Sequence, residues 1–68
     1  MRRVLARNVR RRRVALDLNQ EELADAAFLS QAQVSGIENA KLNVRLDILQ
    51  RIALALGTRP ADLLDDRT

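Results

Sequence analysis

The sequence contains no histidine and no cysteine, and Phe28 is its one aromatic residue. These absences exclude zinc sites of the usual ligand types, disulfides, thiol chemistry and histidine acid–base catalysis. No apolar stretch approaches the 18 residues of a membrane-spanning helix, and the basic N-terminus lacks the apolar segment of a signal peptide. We therefore expect the 68 residues to form a single cytoplasmic, nucleoid-associated domain with an aliphatic core.

Basic residues are concentrated at the N-terminus. The first thirteen residues contain seven of the twelve basic residues and none of the nine acidic ones. These seven are Arg2, Arg3, Arg7, Arg10, Arg11, Arg12 and Arg13. Such an asymmetry indicates an anionic partner, and we expect nucleic acid. A membrane surface and a plain solvated helix face are the alternatives.

Residues 20–39 carry the pattern of two short helices joined by a tight turn. Asn19 and Ser30 are of the type that caps helix N-termini, and only Phe28 and Leu29 separate the two predicted helices. Helices joined this closely cross at a steep angle, which is the helix-turn-helix geometry. Their shared core would be Leu23, Ala24, Ala27, Val34 and Ile37. The other face of the second helix is free to enter a DNA major groove.

Helical periodicity and capping residues predict three further helices, which makes the chain an all-α, five-helix domain. Asp17 lies where the first helix ends, at a position that often requires a positive φ, and Gly57 is suited to end the fourth. Apolar stripes are predicted from Leu5, Val9 and Leu16 in the first helix and from Leu46, Leu49, Ile52, Ala53 and Leu56 in the fourth. The predicted spans are 2 or 3 to 16, 20–27, 31–39, 45–56 and 60–64, with a polar tail at 65–68.

Two opposite charges lie on inward helix faces. Arg13 follows Val9 by four residues on the apolar stripe of the first helix, and Glu38 follows Ile37 in the third. Because an unpaired buried charge is costly, the pattern indicates a mutual bridge. The alternative is that both side chains reach solvent at the edge of the core.

The outward face of the third helix consists of small and polar residues. On a helical projection Ala32 and Gly36 point most directly outward, with Gln33 and Ser35 beside them. Gln31 is the best candidate for a base edge, since a glutamine can bond adenine through both amide atoms. Gly36 costs helix stability, which indicates a steric requirement from either DNA or packing. A plain hydrophilic surface is the alternative for the polar side chains.

Polar residues beside these helices are candidates for contacts with the DNA backbone. Gln20 opens the second helix, where its amide and the exposed N–H groups could meet a phosphate. The other candidates follow the third helix and are Asn39, Lys41, Asn43 and Arg45. No catalytic constellation is visible: Ser30 and Ser35 have no base in plausible reach, and the carboxylates Asp65 and Asp66 lie in the predicted tail. We expect no enzyme activity, cofactor, metal or small-molecule ligand.

A recognition helix this short makes few base contacts, so we expect a homodimer on a pseudo-palindromic site. A two-fold interface needs a self-complementary apolar patch. The candidates are Leu49, Leu63 and Leu64, with core packing as the alternative for each.

The motifs NQEELA, LSQAQVSGIEN, LQRIALALG and PADLL, in this order, resemble the phage-repressor type of helix-turn-helix, the Cro/repressor or XRE family. The resemblance covers residues 9–64 and implies a compact five-helix fold that binds operators, usually as a dimer. It also implies that Gln20 contacts a phosphate and braces Gln31. The base-facing positions of the family fall on Gln31, Ala32 and Ser35, and its structural ion pair on Arg13 and Glu38.

The sequence departs from the family where glycine is usual. Asp17, Phe28 and Ala40 stand there, and the bulky Phe28 must either accept a positive φ or change the turn. Residues 41–46, KLNVRL, resemble the loop of controller proteins from restriction–modification systems. The resemblance therefore implies a sequence-specific, double-stranded DNA-binding transcriptional regulator. An antitoxin, the DNA-binding part of a longer repressor and a protein-interaction module with the same fold are the alternatives.

Overall fold

The structure of the protein is a computed structural model that describes residues 2–66. Its helices are α1 (Arg2–Ala15), α2 (Gln20–Ala27), α3 (Gln31–Glu38), α4 (Leu46–Ala55) and α5 (Pro60–Leu63). No strand occurs between residues 2 and 66, and the all-α prediction is confirmed, with each helix end within one residue of its expected place. Residues 67 and 68 of the predicted tail lie outside the described residues. No helix in this range is long and apolar enough to span a bilayer.

A continuous core of aliphatic side chains joins all five helices. α2 and α3 pack against each other, α1 packs on α3, α4 packs on α2, and α5 contacts both α1 and α4. The residues predicted to hold the α2–α3 pair together are all buried. The buried members of the core are Leu5, Val9, Leu23, Ala24, Ala27, Val34, Ile37, Leu49, Ile52, Ala53, Leu56 and Leu63.

Both predicted N-caps of the helix-turn-helix are confirmed. Asn19 Oδ1 accepts the Glu22 N–H at 2.7 Å, and the Glu22 carboxylate accepts the Asn19 N–H at 2.9 Å. Ser30 and Gln33 repeat this reciprocal capping box at the start of α3, with distances of 3.1 and 2.9 Å. These local contacts fix the residue at which each helix begins.

Three residues adopt the left-handed conformation in which glycine is usual. Asp17 has φ 59°, and Phe28 and Ala40 each have φ 58°. The expected positive φ at Asp17 is thus confirmed. Phe28 keeps the tight turn, because the Leu29 N–H donates to the Ala24 carbonyl at 2.8 Å and closes α2. The Phe28 side chain is 83% exposed, which leaves little packing to offset the backbone strain.

Two leucines predicted to lie in the core are exposed, and the prediction is wrong for both. Leu16 is 51% exposed because α1 ends before it and Asp17 then turns the chain. Leu46 is 68% exposed. It is the first residue of α4, where the inward face is carried by Ile48 and Leu49 instead.

A buried polar side chain fastens the C-terminal helix to α1. The Asn8 Nδ2 donates to the Leu63 carbonyl at 2.9 Å and to the Asp65 carbonyl at 2.8 Å. Carbonyls at the end of a helix lack an intrahelical partner, so Asn8 stabilises the end of α5. Gly57, with φ 67°, follows α4 as predicted and lets the chain turn into α5.

Candidate nucleic-acid interface

The third helix has one buried and one exposed face. Val34 and Ile37 are 1% and 3% exposed and lie in the core where α3 packs against α1 and α2. Gln31 and Ala32, in the first turn, are exposed. The Gln31 side chain forms no hydrogen bond with any residue between 2 and 66. An exposed amide without an internal partner is available to bond a base edge.

Gln33 has a structural role at the start of the same helix. Its Oε1 accepts the Ser30 N–H at 2.9 Å, while the Ser30 hydroxyl accepts the Gln33 N–H at 3.1 Å. The capping box therefore occupies the amide oxygen that bidentate base recognition would need. The Gln33 Nε2 can still donate to a base, so the assignment of Gln33 to base readout stays a prediction.

A side chain from the connector after α3 covers Gly36. A Cβ atom at this position would lie 2.7 Å from Cδ1 and 2.8 Å from Cγ of Leu42, closer than carbon atoms approach without displacement. Leu42 is itself 41% exposed, so it forms part of the surface beside α3. Packing against Leu42 therefore gives glycine a steric reason here, and the assignment of Gly36 to base readout stays a prediction.

The C-terminal end of α3 is fixed by side chains from three helices. Arg13 Nε and Nη2 donate to the two carboxylate oxygens of Glu38 at 2.6 and 2.9 Å. Arg13 Nη1 also donates to the Leu18 carbonyl at 2.7 Å. The Arg13 and Glu38 side chains are 13% and 4% exposed. The structure thus brings the expected pair together, in the two-bond geometry that favours arginine with a carboxylate.

Gln20 joins this cluster instead of bracing Gln31. Its Nε2 donates to Glu38 Oε1 at 3.3 Å, and no hydrogen bond joins it to Gln31 within residues 2–66. The hydrogen bond to Glu38 raises the pKa of the Arg13 guanidinium, and burial opposes that rise. Arg13 consequently stays charged, and the end of α1, the start of α2 and the end of α3 are held at one point.

The connector between α3 and α4 carries exposed cations and amides. Lys41 and Asn43 are exposed, and their side chains form no hydrogen bond within residues 2–66. Arg45 is also exposed and lies 3.5 Å from the Asp47 carboxylate. Because exposed ion pairs are weak, Arg45 can exchange this partner for a phosphate at little cost.

Asn39 and Ser35 support each other at the end of α3. Asn39 Nδ2 donates to the Ser35 carbonyl at 2.8 Å and to the Ser35 hydroxyl at 3.3 Å. Ser35 is half-buried, whereas Asn39 is exposed. The Ser35 hydroxyl still has a proton to donate, so an internal contact does not prevent it from meeting a base or phosphate.

The leucines predicted for a dimer interface belong largely to the core. Leu63 is fully buried, so the interface assignment is wrong for this residue. Leu49 is 8% exposed, so only a small part of its side chain could contact a second subunit. Leu64 is half-buried. It lines a pocket of about 280 Å³ beside the start of α1, together with Arg2, Leu5, Asn43, Val44 and Leu49.

A basic groove next to α3 was not found by sequence reasoning. Arg3, Arg7, Arg10 and Arg11 line it on the α1 side, and residues 38–40 on the α3 side. The clustering of arginines is visible in the sequence, but which of them lie beside α3 depends on how the two helices pack. Helical projection of α1 separates these four from its buried face.

The comparisons with known proteins agree with this geometry. A helix-turn-helix family model of the XRE type matches residues 9–63. The control protein C.BamHI of Bacillus amyloliquefaciens is 42% identical over 52 residues, which cover 76% of this chain and 64% of that protein. The chain therefore spans just under two thirds of the length of that relative.

Two solved structures have the same fold. The hypothetical transcription factor NHTF from Neisseria aligns with a TM-score of 0.91 and 39% identity, covering 94% of this chain and 74% of that chain. The restriction-modification controller protein C.AhdI from Aeromonas hydrophila aligns with a TM-score of 0.88 and 32% identity, covering 91% and 94%. The family match includes both helices of the motif and most of the core. The chain therefore belongs to the helix-turn-helix family of XRE type, whose members are DNA-binding transcription regulators.

Proposed function

We propose that the protein is a sequence-specific regulator of transcription that binds double-stranded DNA as a homodimer on a pseudo-palindromic operator. The observation that carries the proposal is the exposed first turn of α3, where the Gln31 side chain has no hydrogen-bond partner within residues 2–66. The other end of the helix is fixed by the buried Arg13–Glu38 pair. A rigid helix with a free N-terminal end is what the docking mode of this motif in a major groove requires.

The proposed contacts divide into those that read bases and those that position the protein. Gln31 bonds a base edge, the Ala32 methyl group meets a thymine methyl group, and Ser35 lies one turn further along the groove. Contacts to the DNA backbone fix the register without reading sequence. The residues proposed for them are Gln20, Asn39, Lys41, Asn43 and Arg45.

For the dimer we propose an interface at the pocket lined by Leu5, Val44, Leu49 and Leu64, which Arg2 and Asn43 also line. Leu46 follows the pocket residue Val44 by two positions in the sequence and is 68% exposed. In the proposed dimer the second subunit would cover its side chain. A two-fold axis through this patch would bring the same residues of the two copies together. The two copies of α3 would then read half-sites about 34–36 Å apart.

The regulated genes are proposed by analogy with the relatives. C.AhdI is a restriction-modification controller protein, and C.BamHI is a control protein. We propose that this chain likewise controls transcription within a restriction–modification system. A methyltransferase and an endonuclease gene beside its own would support this proposal, and a neighbouring toxin gene would favour an antitoxin role instead.

Selection of binding sites from random duplexes tests the proposed function. We expect one enriched sequence with two inverted half-sites about 10 base pairs apart. If each subunit neutralises about four phosphates, the slope of log affinity against log salt should be on the order of −7 for the dimer. No enriched sequence, or an affinity independent of salt, would contradict the proposal.

Analytical ultracentrifugation tests the dimer separately. We expect Leu46→Arg to shift the protein from dimer to monomer, because it places a charge at the apolar interface. Leu54→Arg is the matched control, since Leu54 is also on α4 and is 83% exposed. A dimer that persists unchanged in Leu46→Arg would rule out this interface.

A further inference from the structure

We infer that Arg3, Arg7, Arg10 and Arg11 form a second phosphate-binding surface, which holds the DNA backbone beyond the bases that α3 reads. We call these four residues the arginine strip. The inference rests on the proposed function, because it extends the same DNA-binding face. It distinguishes four of the seven N-terminal arginines from the other three.

The seven arginines divide by their position on α1. Arg13 is bound to Glu38, Arg12 is half-buried, and Arg2 lies at the pocket that contains Leu64. The arginine strip, by contrast, is exposed along its whole length. At about 100° per residue its four members fall within an arc of about 100° on the helix. Their charges therefore lie along one side of α1.

The arginine strip runs beside the C-terminal end of α3. It forms one wall of an open groove of about 470 Å³, and Glu38, Asn39 and Ala40 line the other wall. These three residues lead directly into the connector that carries Lys41 and Asn43. A DNA strand held by the connector can therefore continue into the groove and meet the arginine strip.

No carboxylate neutralises the arginine strip within residues 2–66. The salt bridges there engage Arg13, Arg45, Arg51 and Arg59, and none of the four. Arg7 donates to the backbone carbonyl of Asp66 at 3.3 Å and forms no ion pair with the described residues.

Glu38, the acidic residue that lines the groove, does not neutralise the arginine strip. Glu38 lines the groove, but its side chain is 4% exposed and already paired with Arg13. Four like charges spaced three and four residues apart on one helix repel each other. A polyanion in the groove would relieve that repulsion.

The dimensions of the arginine strip fit a duplex. From Arg3 to Arg11 the helix rises about 12 Å, which is the axial length of about three to four base pairs. The strip can therefore neutralise two or more phosphates. An acidic polypeptide would be attracted by the same charges, but only DNA bound by α3 and the connector is delivered to this groove.

Two double variants of equal charge test the inference. Arg7→Gln/Arg10→Gln removes two charges from the strip, and Arg12→Gln/Arg59→Gln removes two outside it. Both lower the net charge of +3 by two. Affinity is measured over a range of salt on a duplex of about 40 base pairs that carries the selected site at its centre. Circular dichroism checks that both variants are folded.

We expect the strip variant to have a shallower salt dependence. If two contacts are lost in each subunit of a dimer, the log–log slope should change by about 3.6. The control variant should keep the slope of the unmodified protein, and both variants should keep its ranking of sequences. The difference between variants of equal net charge would assign the effect to position rather than to total charge.

Other outcomes overturn the inference. Equal loss of slope in both variants would mean that only net charge matters. If the unmodified protein binds a specific sequence and the strip variant keeps its salt slope, the arginine strip does not contact phosphate. The proposed function would not be affected by that result. If the strip variant no longer binds poly-L-glutamate but keeps the DNA affinity and salt slope of the unmodified protein, the arginine strip binds acidic polypeptides instead of DNA. Failure of the unmodified protein to bind any duplex would overturn the proposed function and this inference together.

Discussion

The two ends of α3 differ in how far the protein itself engages them. At the C-terminal end, the Glu38 side chain is 4% exposed and accepts hydrogen bonds from Arg13 and Gln20. At the N-terminal end, the Ser30 capping box holds the backbone, and the exposed Gln31 side chain forms no hydrogen bond with the described residues. After the helix, the Leu42 side chain of the connector lies against Gly36. Before the helix, the Phe28 side chain of the turn is exposed.

This difference shows how a helix of eight residues can serve as a reading element. An isolated helix of that length is unstable in water, so its order must come from tertiary contacts. Anchoring one end and the buried face leaves the first turn free while its position stays fixed. Binding through a glutamine with both amide atoms depends on that fixed position.

Removal of the anchor should have the largest effect. Glu38→Gln or Arg13→Met leaves a largely buried partner unpaired and should lower the free energy of unfolding by up to roughly 3–5 kcal/mol. The double variant should lose less than the sum of the two, because neither charge is then left alone. Urea denaturation of the four proteins measures the coupling. Additive losses would mean that the two groups do not meet.

A methyl group added at Gly36 should change the free energy of unfolding by a smaller amount. Whether it lowers or raises that free energy depends on the Leu42 side chain. Alanine gains about 1 kcal/mol of helix propensity over glycine, but overpacking costs about 1–3 kcal/mol. We expect Gly36→Ala to lower the free energy of unfolding by up to about 2 kcal/mol, and to raise it in a Leu42→Ala background. Chemical denaturation in both backgrounds measures this reversal. If Gly36→Ala stabilises the protein while Leu42 is present, the connector is not packed on α3.

A change in the turn before α3 should have the smallest effect. Phe28→Gly relieves a strain of about 1–2 kcal/mol, and the backbone entropy of glycine offsets about 0.5–1 kcal/mol of that gain. We expect a slightly higher free energy of unfolding and an unchanged affinity for DNA. Thermal denaturation and DNA titration measure the two quantities. Phe28→Ala is the control, since it removes the ring and keeps the strain. A glycine variant less stable than the alanine variant would contradict this explanation.

Most of the backbone could be predicted from the sequence because its signals are local. Asn19 and Ser30 cap helices through residues three positions away, and Gly57 acts at a single turn. The pairing of Arg13 with Glu38 follows from a stronger constraint, since a buried charge requires a partner. The four-residue spacings that mark a buried helix face are local as well.

The features that sequence reasoning missed depend on segments that meet only in the folded protein. Leu42 covers Gly36 because the connector folds back on α3. Leu63 lies in a helix of four residues, too short for periodicity to separate core from interface, and its burial depends on contact with α1. Gln33 lies three residues after the N-cap Ser30 and also beside the outward face of α3. The sequence alone does not show whether its side chain caps the helix or points to solvent.

The claim that the free end of α3 reads bases is tested most directly by the sequence preference of Gln31→Ala. On the selected duplex this variant should lose about 1–3 kcal/mol of binding free energy and relax the preference at one base pair of each half-site. Gln50→Ala, at an exposed glutamine on α4, should change nothing, and Lys41→Ala should weaken all duplexes alike. If Gln31→Ala ranks the duplexes as the unmodified protein does, the first turn of α3 does not lie against the bases.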